Sequence, residues 1–467
     1  MTQKPIIVVG GGPIGLMCAL YIKRRKGLPV IIIEHQDKVG GLYASKSTRW
    51  GWVDQGVHIP QLSGVPELDE LFFRSIPSND WQILSGSRKD IAGNFFRGKL
   101  NAGSLYPDLR ELPCEQYRAC VGELFLNLRV KRSDFKTSLS LQEYLTCRFG
   151  STAAKTVFEP IARKVWRRPL EEMSPWAAKL LHLTRLVTHD SAMSNLLKQS
   201  PVLDEIIGFP EQLRVPENTF INSSPALYPK KFGLSHVVEG WARELIGLGV
   251  SILTSTEITS MNDNNNTGLS LQITSGGSAI ETRIEPSTVL WTSPISQLER
   301  LLGVKNTALP DPSIPHRVVH IFTNKPPSTG PLFWFWSFDN DDCFVRISIP
   351  HAYCPAVASS QTFQVCIELH LPSILISDDD VVTMVEHQLR NQGIITKDTQ
   401  ILGHHIQKGN RSYLVPTIKN CNAMRQQRHE IQSSLPNNIL LANQDIASGV
   451  FFMPEILRSI FPLLEQI

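Results

Sequence analysis

Residues 6–34 constrain this chain more than any other stretch. An apolar run, Ile6–Val9, leads straight into Gly10-Gly11-Gly12-Pro13-Ile14-Gly15. An amphipathic stretch over residues 16–25 comes next, then a second apolar run, Val30–Ile33, closed by Glu34 and His35. Strand, glycine turn, helix, strand and acid in that order make the βαβ unit that holds a dinucleotide. Gly10 permits a tight turn, Gly12 lets the backbone approach a pyrophosphate, and Gly15 allows helix and strand to pack closely. The helix start that follows the glycines aims its free N–H groups at the phosphates. Glu34 lies nineteen residues after Gly15, where a carboxylate takes both hydroxyls of an adenosine ribose. An acid there favours a free 2′-hydroxyl, hence FAD or NAD over NADP.

The residues after the acid decide between those two. Val39-Gly40-Gly41-Leu42-Tyr43 comes first, then Gly51-Trp52-Val53-Asp54-Gln55-Gly56-Val57-His58. A second glycine pair just past the ribose acid suits a chain that runs close along a larger cofactor. FAD is therefore the expected cofactor.

The remaining 400 or so residues, of 467 in all, are enough for one or two further domains. Charged residues make up 19% of the chain and the formal net charge is +3, too mild to suggest a nucleic-acid partner. The densest basic run, Lys23-Arg24-Arg25-Lys26, closes the first helix, where the helix dipole favours cations. Eight cysteines show no C-x-x-C spacing, and no signal-like segment precedes the first strand, so a cytoplasmic protein with reduced thiols is expected. No apolar run reaches the length that spans a bilayer. The histidines lack ligand spacing, so no metal is expected.

Apolar spacing of three and four residues predicts helices over residues 117–128, 141–149, 153–161 and 176–186. Ser138 or Ser140 can cap the second, with Glu143 three residues after Ser140 as in a capping box. Residues 234–248 read as a helix, 250–254 and 257–261 as strands, 262–266 as a turn, and 288–291 as a strand. Alternation and aromatic enrichment over 316–370 predict an antiparallel sheet with one face on the core. A helix over 378–391, a strand over 438–442 and a helix within 449–464 complete the pattern. The expected architecture is α/β, with a Rossmann-like FAD-binding domain assembled from 1–85, 226–300 and 405–467. A helical insertion (105–225) and an antiparallel-sheet substrate domain (86–104 and 301–404) complete it.

With these motifs in order, the chain resembles the FAD-binding group of amine oxidases and protoporphyrinogen oxidases, and within it the UDP-galactopyranose mutases of the longer, eukaryotic type. The resemblance runs over nearly the whole chain and rests on five short motifs. They are D-x-G-x-H at Asp54, Gly56 and His58, and K-x-W at Lys164 and Trp166 with Pro169 and Met173 after it. Arg346 and then Tyr353 are the third, Y-x-V-P-T at Tyr413, Val415, Pro416 and Thr417 the fourth, and Asn443-Gln444-Asp445 the last. The resemblance implies FAD contacts at Gly10, Gly12, Pro13, Ile14, Gly15, Glu34, His35, Gly40, Gly41, Leu42, His58, Ile258, Asn443, Asp445 and Ser448. It implies a catalytic set of His58, Arg346, Trp166, Tyr353 and Tyr413, with His58 and Arg346 facing the flavin across a cleft.

The reaction so implied is a redox-neutral pyranose–furanose isomerisation of a nucleotide-linked sugar through an adduct at N5 of the reduced flavin, in surface glycan biosynthesis. Arg346 would bind the departing diphosphate as a fork. Tyr353 and Tyr413 would donate to the same group, and Trp166 would cover the sugar. The chain also departs from the mutase pattern. Ile161 and Ile439 stand where tyrosines are expected, Ser337 replaces an aromatic, and Lys179 is the nearest cation to a second phosphate arginine. A flavin oxidoreductase of the protoporphyrinogen or amine oxidase kind and a non-catalytic flavin-binding protein are the alternatives. The expected partner is a small activated sugar; an electron donor and a homo-oligomeric state are left open.

Overall fold

The computed structural model describes residues 3–128, 138–214, 225–231, 233–264, 268–276, 281–304, 311–339, 342–357, 361–373, 375–407 and 412–467. The chain divides into two compact units. The first comprises Met1–Ile83, Ala226–Leu309 and Asn422–Ile467, the second Leu84–Pro225 and Pro310–Cys421.

The first unit is built on a five-stranded parallel sheet in the order Ile439–Leu441, Thr288–Trp291, Ile6–Val9, Val30–Ile33, Ser251–Leu253. Ile6–Val9 sits centrally, in register with Val30–Ile33 on one side and Thr288–Trp291 on the other. It is wholly apolar because both faces of a parallel sheet are covered. On one face the helix Pro13–Tyr21 packs against the helices Pro66–Phe73, Ser235–Gly247 and Met453–Gln466. Ile7, Val9, Ile258, Leu271, Trp291 and Ile431 form a core with side chains of a three-stranded antiparallel sheet, Thr256–Asn264, Gly268–Ser275 and Thr282–Ile284. The expected turn over 262–266 starts too early, since the strand continues to Asn264. The basic run after the first helix forms a π-helical turn, Ile22–Lys26, and its cations meet Glu244, Glu70 and Glu465 at the surface.

The second unit joins the helices and the antiparallel sheet expected from the alternating residues. Its helices include Cys114–Asn127, Leu141–Phe149, a run from Ser151 through Trp166, Ser191–Leu197 and Asp378–Asn391. Ser140 Oγ accepts from Glu143 N at 3.2 Å, the cap expected there. The helix expected over 176–186 is only one turn, Ala177–Leu180. His182 then turns the chain with φ +56°, and Leu186 and Val187 pair as isolated bridges. The sheet runs Ile401–Gln407, Ile314–Thr323, Phe363–His370, Phe344–Ser348, Trp334–Ser337, Ala92–Phe96, Lys99–Asn101, with Ser412–Tyr413 added at the end of Ile314–Thr323. Val319, Ile321, Phe335, Ile347, Val365 and Ile367, each at most 1% exposed, line one face of it. Among the described residues, no helix is long and apolar enough to cross a membrane.

Candidate functional site

In the first unit the glycine turn is shaped as a cradle. Gly10 has φ +106°, a conformation L side chains rarely take, and a Cβ on Gly15 would stand 1.9 Å from the Gly10 carbonyl oxygen. That contact is the close packing for which Gly15 is needed. A Cβ on Gly12, by contrast, would meet no atom within 4 Å. Gly12 is therefore not required by the protein's own packing, and the space before it is open to a ligand. Gly12, Pro13 and Ile14 are all partly exposed, and Leu42 is 46% exposed.

Glu34 Oε2 accepts from Gly11 N at 2.7 Å and Oε1 from Gln36 N at 2.8 Å. Its carboxylate is thus fixed beside the turn by two backbone donors. His35, next to it, is exposed. Thr256 N donates to the Glu34 carbonyl, which sets the strand bearing Ile258 beside the acid; Ile258 itself is 8% exposed and packs into the core. Gly40 and Gly41 lie against the first turn. Gly40 N donates to the Gly11 carbonyl at 2.8 Å, and a Cβ on Gly41 would lie 3.2 Å from Gly12 Cα. The second glycine pair packs on the first turn and holds it open. With this acid, turn and helix start, the unit fits a dinucleotide.

Asp54 is engaged in the fold. It accepts from Ser45 Oγ and Tyr228 OH, each at 2.5 Å, and from Leu234 N at 3.1 Å. It thereby ties a strand end and a helix start to the segment before His58. Nothing local in the sequence pointed to Tyr228, which lies 174 residues away. His58 is half-buried, edge-on to Tyr43 at 6.3 Å between ring centres. Near the C-terminus Asn443 donates to the Ser293 carbonyl, while Arg428 donates to Asn443 Oδ1 and lies 3.7 Å from Asp445. Asp445 and Val450 exchange backbone bonds, and Ser448 is exposed on the turn between them.

In the second unit, Arg346 is the expected residue with the most informative surroundings. Alternation alone would pair Phe344 and Arg346 with successive same-face residues, but the register slips between them. This bulge sets Arg346 opposite Glu368 and leaves Phe344 and Ile347 on the apolar face. Arg346 Nε and Nη2 donate to the two Glu368 carboxylate oxygens at 2.8 Å each. The guanidinium lies 5.1 Å from the centre of the Trp336 ring. Trp336 is the register partner of both Arg346 and Asn94. One row across four strands therefore reads Asn94, Trp336, Arg346, Glu368.

Two atoms of that row are orphans. Trp336 Nε1 and Asn94 Oδ1 are buried with no hydrogen-bond partner among the described residues. Asn94 is oriented unambiguously, since its Nδ2 donates to the Ser104 and Tyr106 carbonyls at 3.0 Å. Trp334 meets Trp336 edge-on and donates to Asp90 at 2.7 Å. The His182 ring lies 5.8 Å from Trp334. Burial, and then the Arg346 charge, push its pKa down to about 4, so it is neutral near pH 7.

The remaining expected residues do not join this row. Lys164 forms a salt bridge with Asp342 at 2.6 Å, both side chains 6% exposed. Trp166 and Tyr353 are 1% and 3% exposed. Lys179 lies over the Trp176 ring. Tyr413 pairs through its backbone with Ile314, and its side chain lies outside the described residues. Among those residues, no group of histidine, cysteine and carboxylate side chains could hold a metal.

Residues 8–72 match the sequence pattern of the NAD(P)-binding Rossmann-like domain. The chain matches no curated protein by sequence. Among solved structures, reduced UDP-galactopyranose mutase aligns over 100% of this chain and 95% of its own, with TM-score 0.73 and 15% identity. A protein assigned as protoporphyrinogen oxidase from Exiguobacterium sp. 255-15 aligns over 100% and 99%, with TM-score 0.65 and 16% identity. Putrescine oxidase bound to putrescine aligns over 99% and 98%, with TM-score 0.59 and 14% identity. The likeness is one of fold. The chain has the architecture common to these mutase and oxidase structures, a Rossmann-like parallel-sheet domain with a separate antiparallel sheet.

Proposed function

We propose that this chain is an FAD-dependent enzyme that rearranges the ring of an activated sugar without net redox change, the chemistry implied by its resemblance to UDP-galactopyranose mutases. The observation that carries the proposal is the Arg346–Glu368 pair on the polar face of the antiparallel sheet. Partly burying a guanidinium and a carboxylate costs desolvation that an apolar pair would avoid. Such a face is worth keeping where a substrate rich in oxygen must be oriented. Hydride abstraction from an amine or a porphyrinogen would ask for a more apolar wall.

When bound and reduced, FAD supplies a nucleophilic ring nitrogen at neutral pH. The chain's own residues bind and orient. Glu34 takes the adenosine ribose, and the Gly12 backbone with the N-terminus of Pro13–Tyr21 takes the pyrophosphate. Gly40 and Gly41 hold that turn in shape, with Leu42 and His35 flanking it. His58, Asn443, Asp445 and Ser448 are assigned to the flavin end, and Ile258 to the wall behind the adenosine. Arg346 and Glu368 orient substrate oxygens, Tyr413 contributes a hydroxyl, and Trp166 and Tyr353 back the wall from within the core.

The test uses purified protein loaded with FAD. After chemical reduction under anaerobic conditions, a panel of sugar nucleotides should give isomeric products with no oxidant consumed and none formed with oxidised flavin. Substrate that bleaches oxidised flavin would transfer the assignment to an oxidoreductase. Protein that holds FAD but turns over nothing in either redox state would be a binding protein.

A further inference from the structure

Arg346 is the guanidinium that a diphosphate would need, yet its charge is already matched. Glu368 grips it through two 2.8 Å hydrogen bonds, and its own side chain is 9% exposed. The nearby imidazole of His182 is neutral, and the unit's buried ammonium, Lys164, is consumed by Asp342. A diphosphate placed against this row would meet the Glu368 carboxylate, and Arg346 would have to be drawn from that partner to bind it.

The orphans narrow the ligand further. Trp336 Nε1 can only donate, and Asn94 Oδ1 can only accept. A phosphate oxygen would satisfy the first and repel the second. A hydroxyl satisfies both, because it accepts through a lone pair and donates its proton. The remaining pair, Arg346 and Glu368, repeats the pattern of a donor beside an acceptor, which is what adjacent hydroxyls on a ring present.

Resting on the reading of this chain as a sugar-active flavoenzyme, we propose that the row Asn94–Trp336–Arg346–Glu368 recognises the hydroxyls of an uncharged glycosyl ring and does not bind the leaving group's phosphates. Arg346 and Glu368 act together as one planar donor–acceptor pair. Specificity at this row is then for the sugar, and whatever anion departs is held elsewhere or not at all.

Saturation-transfer NMR on the FAD-loaded protein tests this with methyl hexopyranosides and with UDP as separate probes. Methyl hexopyranosides should receive saturation on their ring protons at low and at high salt alike, and any saturation of UDP should be unchanged in Arg346→Lys. Trp336→Phe removes the orphan donor while keeping an aromatic ring, and should weaken glycoside binding by about tenfold while FAD binding is unchanged. Glu368→Gln should weaken it similarly and allow UDP to bind. UDP binding to the wild type, falling with salt and lost in Arg346→Lys, would overturn the inference while leaving the sugar-nucleotide reading intact. Glycoside affinity unchanged in Trp336→Phe would overturn it too. If no glycoside, sugar nucleotide or UDP binds at all, the functional reading itself falls.

Discussion

Removing the Asp342 carboxylate should destabilise the second unit more than any other single surface-to-core change we would make. Lys164 Nζ sits 2.6 Å from Asp342 Oδ1, and both side chains are 6% exposed. The same carboxylate also accepts from Phe344 N at 2.9 Å and from Ser337 Oγ and Gln392 Nε2 at 2.6 Å each. Asp342→Ala therefore strands a buried ammonium and three further donors. Breaking a buried ion pair from one side costs about 3–5 kcal/mol. The orphaned Ser337, fully buried, puts the expectation toward the upper end. A mitigating contact survives, because Lys164 also bonds the carbonyl of residue 342, which alanine retains. Denaturant-dependent hydrogen exchange at the amides of Phe344–Ser348 measures the loss locally, without requiring the whole chain to unfold in two states. The paired replacement Lys164→Met with Asp342→Ala should recover the part of the loss owed to the stranded ammonium, while Phe344 N, Ser337 and Gln392 stay without the carboxylate. A loss below about 1 kcal/mol in Asp342→Ala, or a double variant no better than the single, would refute the view that Lys164 is buried for structure.

Three further outcomes are expected on similar physical grounds. Gly12→Val should leave the Tm of the FAD-free protein unchanged and abolish FAD binding, because only a ligand occupies the space it would fill; Gly15→Ala should lower the Tm even without FAD, as its Cβ would stand 1.9 Å from a carbonyl oxygen. Equal effects of the two on the FAD-free protein would count against the cradle. Asp54→Ala should cost about 2–4 kcal/mol through the stranded Tyr228 hydroxyl and Leu234 amide, measured by urea denaturation. Tyr228→Phe should cost less, and equal losses would show that the carboxylate is not the hub. Burial pushes His370 down to about 3, and burial with the Arg346 charge pushes His182 to about 4, both from 6.5. The unfolded chain then binds more protons than the folded one between those values, so stability should fall as pH drops from about 6.5 toward 4, by up to roughly 1.4 kcal/mol per pH unit for each fully titrating histidine. Flat stability across that window, measured by urea titration at each pH, would contradict the burial of both rings.

How much of this was written locally can be judged from particular residues. The cradle was legible because its parts lie within thirty consecutive positions, and strand, turn and helix each leave a periodic or steric mark on the residues that form them. The sheet over 316–370 was legible for the same reason. The helix Ile418–Ser434 was not, since its buried apolar positions are few, Cys421 and Ile431 among them, and polar residues fill the rest. The expected helix over 176–186 failed because His182 adopts a left-handed backbone that no periodicity foretells.

The amino-acid order alone thus determined that a dinucleotide turn begins the chain and that an alternating sheet occupies its later half, because both are short-range consequences of glycine placement and side-chain period. Only the tertiary structure decided what the sheet's polar face contains. Arg346 meets Glu368 through a one-residue slip in register, and Trp336 meets Asn94 across 242 positions of sequence. Strand order and bulges bring such residues together, and these are fixed by packing over the whole sheet. A motif could name Arg346; it could not say that its charge was already answered.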